Sequence, residues 1–228
     1  MFILKANWLM FIAATAGVAA AAHGQETGSI RSGSGPISVP EGKVTGDAAR
    51  AVSDNLAFCI VKRHYVPVRK ALAPPRNMMN DYKYLPKLMD GECFGSSSMG
   101  RDEGVTSMDL TTNPVSFRAG LYKALIRKDY GRRPATFGPT ALVMEGDNSQ
   151  ILQFADCVVR ADPESSRKLF LTVAGTSAEQ AMVDALRPSL GKCAIANTRI
   201  AFSKANLIGF LAEAYYREAD AAASAGAK

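Results

Sequence analysis

The apolar positions of this chain recur at three- and four-residue spacing, and between residues 56 and 216 the pattern is written twice. One copy reads LAFCIVKRHYVPVRKAL from Leu56; the other reads LQFADCVVRADPESSRKLF from Leu152. Setting Cys59 on Cys157 aligns them without a gap, with Ala57 on Ala155, Ile60 on Val158, Val61 on Val159, Lys62 on Arg160, Arg69 on Arg167 and Lys70 on Lys168. Each copy then reaches a second cysteine, after Gly91-Glu92 in one (Cys93) and after Gly191-Lys192 in the other (Cys193). Each closes on an apolar helical segment, LYKALIRKDY from Leu121 and LIGFLAEAYY from Leu207.

The spacing predicts helices around both first cysteines. Asp47 or Ser53 can cap the first, where Leu56, Cys59, Ile60 and Arg63 fall at helical spacing; Phe154, Cys157, Val158 and Ala161 make the matching stripe. Asp162 as N-cap with Pro163 at the first helical position opens the next helix, and Gly175 ends it. Thr176 and Ser177 open a third helix over 178–190, with Glu179 and Gln180 placed for a capping box and Met182, Leu186 and Leu190 facing inward. Pro188, like Pro86 in the first copy, stops or kinks its helix near the second cysteine. Residues 199–202 suit a short strand or extended connector. Ser203 is placed as N-cap of the last helix, with a Phe202–Leu207 staple and an inward stripe of Leu207, Phe210, Leu211 and Ala214. In the first copy that stripe is Leu121 and Leu125 with Ala124 or Tyr122.

The expected fold is therefore mainly α: two homologous helical modules packed side by side, each closed by one disulfide, with at most short β-strands before each final helix. Residues 47–131 form module one and 147–218 module two, joined by a Pro- and Gly-bearing linker at 132–146. Residues 25–46, rich in Gly, Ser, Pro and Thr, read as a flexible leader, and 219–228 as an alanine-rich tail. Module one carries an insertion after its second cysteine, over residues 96–112, and insertions on one copy of a repeat map to surface loops.

Residues 1–24 change the compartment. One early positive charge (Lys5), an apolar run over 8–22 and small residues at Ala20, Ala22 and Gly24 read as a secretory signal peptide, cleaved near His23 to Gln25. The alternative, a membrane anchor, fits less well, because alanine, threonine and glycine interrupt the run and it is short for a bilayer span. An exported chain with four cysteines implies two disulfides. Spacing alone leaves three pairings open; the repeat chooses Cys59–Cys93 and Cys157–Cys193, since each copy holds its own pair. Loops of that size stabilise by roughly 4 kcal/mol each in the chain-entropy model. Neither pair has the Cys-x-x-Cys spacing of a redox centre.

Charge separates the copies. Residues 47–133 hold fifteen Lys and Arg against nine Asp and Glu, whereas residues 147–218 hold eight against eight. The basic excess of module one can steer it toward an acidic surface, an anionic envelope component or an acidic protein. The candidate contacts are Lys62, Arg63, Arg69, Lys70, Arg127 and Lys128. The same residues also read as a solvated face whose stems cover apolar surface. Nucleic acid is not expected, because no aromatics interleave the basic stretch of an exported chain.

Catalytic patterns are sparse. His64 is the one histidine clear of the predicted cleavage site; it follows Lys62 and Arg63 and reads as a solvated polar residue. No cluster of metal-ligand spacing occurs, and no Walker loop or dinucleotide fingerprint, so no cofactor is expected. Ser165-x-x-Lys168, Ser189-x-x-Lys192 and Ser53-Asp54-Asn55 spell pieces of the penicillin-recognising set, in reversed order and without a Lys-Thr-Gly strand. Gly95 to Gly100 is not a nucleophile elbow.

The pattern aromatic-Ala-x-Cys-Val-Val-Arg, then Arg-Lys-Leu, then a Cys before Phe-x-x-x-x-Leu and a terminal Tyr, resembles that of small exported proteins of Gram-negative bacteria with a two-copy, cysteine-containing helical repeat. In the first copy Leu56 replaces the leading aromatic and Phe117 stands one residue closer to Leu121. The resemblance spans nearly all of 56–216 and implies a fold and a compartment. No activity attaches to that group, so no functional residue carries over. The expected function is a non-enzymatic interaction module of the periplasm or exterior; the alternative is a small envelope hydrolase with a site not recognisable from sequence.

Overall fold

The structure is a computed structural model that describes residues 29–32, 46–75, 77, 81, 83–96, 108–111, 114–146, 148–194 and 203–226. Its elements run β1 (Ser29–Ser32), α1 (Gly46–Arg63), α2 (Tyr65–Leu72), a 3-10 turn (Leu85–Leu88), α3 (Gly91–Ser96), β2 (Met108–Thr111) and α4 (Pro114–Tyr130). After the linker come α5 (Ser149–Ala161), α6 (Pro163–Leu171), α7 (Ser177–Ala185), α8 (Arg187–Cys193) and α9 (Lys204–Gly226). The fold is mainly helical. Disulfides join Cys59 to Cys93 and Cys157 to Cys193, with Cα–Cα distances of 5.6 and 5.8 Å.

Both first-cysteine helices end against a proline-bearing successor. His64 leaves the helical region (φ −123°, ψ 43°) and Pro67 sits in the first turn of α2, where its missing N–H leaves no bond unmade. Asp162 does the same between α5 and α6 (φ −145°, ψ 78°), and its carboxylate accepts the Ser165 N–H at 3.0 Å, the cap expected with Pro163 at N1. Thr176 caps α7 by accepting the Glu179 N–H at 3.3 Å, and Ser203 caps α9 by accepting the Asn206 N–H at 3.1 Å. The third helix expected over 178–190 is broken at Leu186: Pro188, at the start of α8, has no N–H for the Asp184 carbonyl. Pro86 falls within the 3-10 turn Leu85–Leu88, while Phe202 and the run 199–202 lie outside what is described.

The four longest described helices lie in the order α1, α4, α9, α5, so the last helices of the two halves form the central pair. Gly209 lets α9 approach closely, since a Cβ there would stand 2.8 Å from the Ala119 Cβ. Leu56, Ala57, Ile60 and Val61 of α1, Leu121 and Leu125 of α4, Leu152, Ala155, Val158 and Val159 of α5, and Ile208, Leu211 and Tyr215 of α9 join one continuous core. The halves therefore share a core. The expected stripes hold in part: Arg63, Cys157 and Ala161 face solvent, because the buried faces turn on Ala57, Val61, Ala155 and Val159 instead.

Two further departures concern the connections. Within the stretch expected to be a flexible leader, residues 29–32 instead form β1, antiparallel to β2 in the insertion of the first half, with Ile30 opposite Leu110. The linker is fastened. Leu142 donates its N–H to Glu218 at 2.8 Å, Ala135 donates to the Tyr215 hydroxyl at 3.3 Å, and the Phe137 ring meets Tyr215 edge-on at 5.1 Å. Helix α9 runs into the expected tail and buries Glu218 and Ala219.

Candidate ligand-binding site

A pocket of about 560 Å³ opens between α2, the linker segment 142–145, the start of α5 and the end of α9. Leu72, Tyr122, Met144 and Leu152, all buried, line its apolar interior, and Tyr65 and Tyr216 add ring surface. Two exposed valines stand at its rim, Val66 at 71% and Val143 at 80% exposure. Its charged lining is Arg69, Lys70 and Arg217 against Glu145 and Asp220. A few polar groups around a mostly apolar cavity of this size is the usual constitution of a small-molecule site, about 300–1,000 Å³.

Most of those charges are committed. Arg217 donates to the carbonyls of Leu72, Ala73 and Pro74 (2.9 Å for the last) and pairs with Glu213 at 3.0 Å. Arg69 pairs with Asp220. The Tyr65 hydroxyl lies 2.9 and 3.0 Å from the two Asp129 oxygens, and Tyr216 donates to the same carboxylate at 2.9 Å. Burial, then Asp129, pushes the Tyr65 phenol up, and the Tyr216 phenol well above its ordinary range, so both stay neutral donors. Among the described residues, Lys70 and Glu145 are exposed and have no ion-pair partner.

The six cations expected to contact a partner fall into three groups. Arg69 and Lys128 converge on the Tyr65 ring, at 5.7 and 4.4 Å from its centroid, with Lys70 on the adjoining face of α2 at the pocket. Arg127 lies over Phe58 at 5.5 Å and donates to the Leu171 carbonyl, and Lys62 is exposed one turn beyond Phe58. Arg63 is held by Asp90 at 2.7 Å and Glu92 at 2.5 Å. His64 Nε2 stands 2.8 Å from the same Asp90 oxygen, and that contact, with the Glu92 N–H and Arg63, holds Asp90 below its ordinary value.

The buried clusters of charged groups were invisible to sequence reading. Asp156 and Glu218 are both buried, and Arg160 pairs with each while donating to the Gly138 and Thr140 carbonyls at 2.9 and 2.8 Å. Burial, then the Glu218 carboxylate, pushes Asp156 up to about 7 against the pull of Arg160. Arg118, 2% exposed, joins the halves: it donates to Asp81 at 2.8 Å and to Glu213 at 3.1 and 3.2 Å. At the opposite end Arg50 of α1 reaches Glu179 of α7 at 2.6 Å. One signal was available for Asp156: in the repeat register it stands where the first copy has Phe58.

The penicillin-recognising fragments sit on separate helices, Ser53 on α1, Ser165 on α6 and Ser189 on α8. The pocket lining contains no serine, threonine, cysteine or histidine among the described residues. No described group of His, Cys, Asp and Glu has the arrangement to hold a metal ion, and no described helix is long and apolar enough to cross a membrane.

Fold and pocket together define a class: a helical chain closed by two disulfides around one core, with an amphipathic cavity on the side of its basic half. No protein-family model, curated protein or solved structure matches the chain.

Proposed function

We propose that the chain is an exported, non-enzymatic interaction module that meets an anionic envelope surface through its first half. The signal-peptide pattern of residues 1–24 and the two disulfides support the compartment. The two-copy pattern supports kinship with the exported repeat proteins it resembles and the reading of the halves as duplicated modules. The observation that carries the binding reading is the charge without an acid partner at the ends of α1, α2 and α4: Lys62, Lys70 and Lys128 are exposed and have no carboxylate partner among the described residues, Lys128 meeting only the Tyr65 ring. Such cations keep their Coulomb energy for a partner, whereas Arg63 and Arg69 have already spent part of theirs.

The test is co-sedimentation with vesicles of phosphatidylglycerol and phosphatidylcholine. Binding should require the anionic lipid, fall steeply with added salt, and drop by about tenfold or more in a Lys62→Glu, Lys128→Glu double variant. Equal retention on pure phosphatidylcholine, or indifference to salt, would overturn the reading. Binding to an acidic protein in place of the vesicles would move the partner to another class.

A further inference from the structure

The rim of the pocket holds a departure from the repeat. In the register that sets Cys59 on Cys157, Val66 falls on Glu164. In the second half Glu164 neutralises its own helix face, pairing with Arg167 at 2.9 Å and Lys168 at 3.6 Å. The first half keeps both basic residues, Arg69 and Lys70, but has no acid at that position. Val66 is 71% exposed there, and Lys70, one helical turn further on, has no partner among the described residues. A bare valine and a bare ammonium side by side make a poor solvated surface. They suit a molecule that is apolar along its length and negative at one end.

We propose that this pocket binds a single-chain amphiphile with an anionic head group. The chain lies over Leu72, Met144 and Leu152 and covers the exposed faces of Val66 and Val143; the head rests at Lys70. Arg69 is already paired with Asp220, so the charge that favours an anion is that of Lys70, with Lys128 at the Tyr65 ring beside the mouth. Among the described lining residues Glu145 is the uncommitted acid, and it opposes that head. A carboxylate and a phosphate monoester share this chemistry, so the head comes either from a free fatty acid or from a phospholipid breakdown product. This site stands apart from the surface reading: vesicle binding can fail with the pocket intact, and the reverse.

The experiment is titration calorimetry of the full chain with dodecanoate, dodecyl phosphate, dodecyl maltoside and inorganic phosphate, each below micelle formation. One molecule of dodecanoate or of dodecyl phosphate should bind per chain, and whichever binds tighter names the source of the head. Dodecyl maltoside should bind at least about tenfold more weakly, and phosphate alone should not compete. Val66→Glu and Lys70→Glu, both at exposed positions, should each weaken binding by about tenfold with an unchanged helical spectrum. Glu145→Gln should strengthen it severalfold. The proposal is overturned if the neutral amphiphile binds as well as the anionic ones, if neither anionic probe binds, or if Glu145→Gln weakens binding, which would mean that the acid serves a cationic group on the ligand.

Discussion

Helices α2 and α6 occupy the same place in the two halves, each following a cysteine helix across a non-helical break, yet they meet solvent differently. Helix α6 is closed on itself: Asp162 caps it, and Glu164 pairs with Arg167 and Lys168 within one turn. Helix α2 lacks both devices. His64 makes no side-chain cap bond to it, Val66 stands in place of the acid, and Arg69 reaches across to Asp220 of α9. A helix that satisfies its own charges presents a finished surface. One that leaves an ammonium and a valine exposed beside a cavity presents an unfinished one, and that asymmetry is the reason the proposed binding is set on the first half.

The comparison extends to the disulfides, where the largest effect is expected. The two bridges close loops of nearly equal length, with sequence separations of 34 and 36, so the chain-entropy contribution is the same for both. Their surroundings differ, because Cys93 is fully buried in the core while Cys157 is exposed. Replacing both cysteines of a pair by alanine should cost about 2–5 kcal/mol in either half, with the Cys59–Cys93 variant the less stable of the two. Urea unfolding of the two double variants measures this. Equal costs would mean that packing around Cys93 adds nothing, and a greater cost for the rear pair would reverse the asymmetry.

A smaller effect separates Phe58 from Asp156, which share a register position. Phe58 is half-exposed under Arg127, whereas Asp156 is buried against Glu218 and Arg160. Burial, then Glu218, pushes the folded carboxyl up to about 7. A raised acid favours the neutral form, so its contribution is full below the unfolded value and is lost as pH rises through about 7. Stability should therefore fall between about pH 4 and 7, by no more than about 1.4 kcal/mol per unit, and Asp156→Asn should remove that slope. The lowered acids Asp47 and Glu179 act in a separate window, losing their contribution as pH falls below about 4. An unchanged slope in the variant would place the titration elsewhere.

What was legible in the sequence was local or repeated. Asp162, Thr176 and Ser203 cap as their spacing predicts, because a cap bond spans three residues and needs nothing from the rest of the chain. The cystine pairing was legible because two stretches of sequence align, each with its own pair of cysteines. Arg118 with Asp81 and Glu213, Asp156 with Glu218, and the pocket itself were not legible, because each joins residues far apart along the chain. Even Glu179, placed for a capping box with Thr176, instead accepts the Gly175 N–H at 3.1 Å and Arg50 at 2.6 Å. Gly175 permits this with φ +78° and with Asp47 so near that a Cβ would lie 2.5 Å from it. A long-range cation outcompeted the local rule.

The smallest expected effect is the sharpest test of the difference between α2 and α6. Val66→Glu writes the second half's arrangement into the first, placing an acid in the first turn of α2 with Arg69 and Lys70 three and four residues on. Helical pairs of that spacing are worth about 0.2–0.5 kcal/mol, and an acid near a helix N-terminus adds a similar amount. Val66 is too exposed for much apolar burial to be lost. The variant should therefore melt about 1–2 °C above the parent at low salt, with the gain shrinking as salt is added. A stabilising substitution here means that folding never required the valine, leaving its exposure to be explained by what it meets. Destabilisation by 1 kcal/mol or more would instead make Val66 a structural residue, and the difference between the two helices would then say nothing about binding.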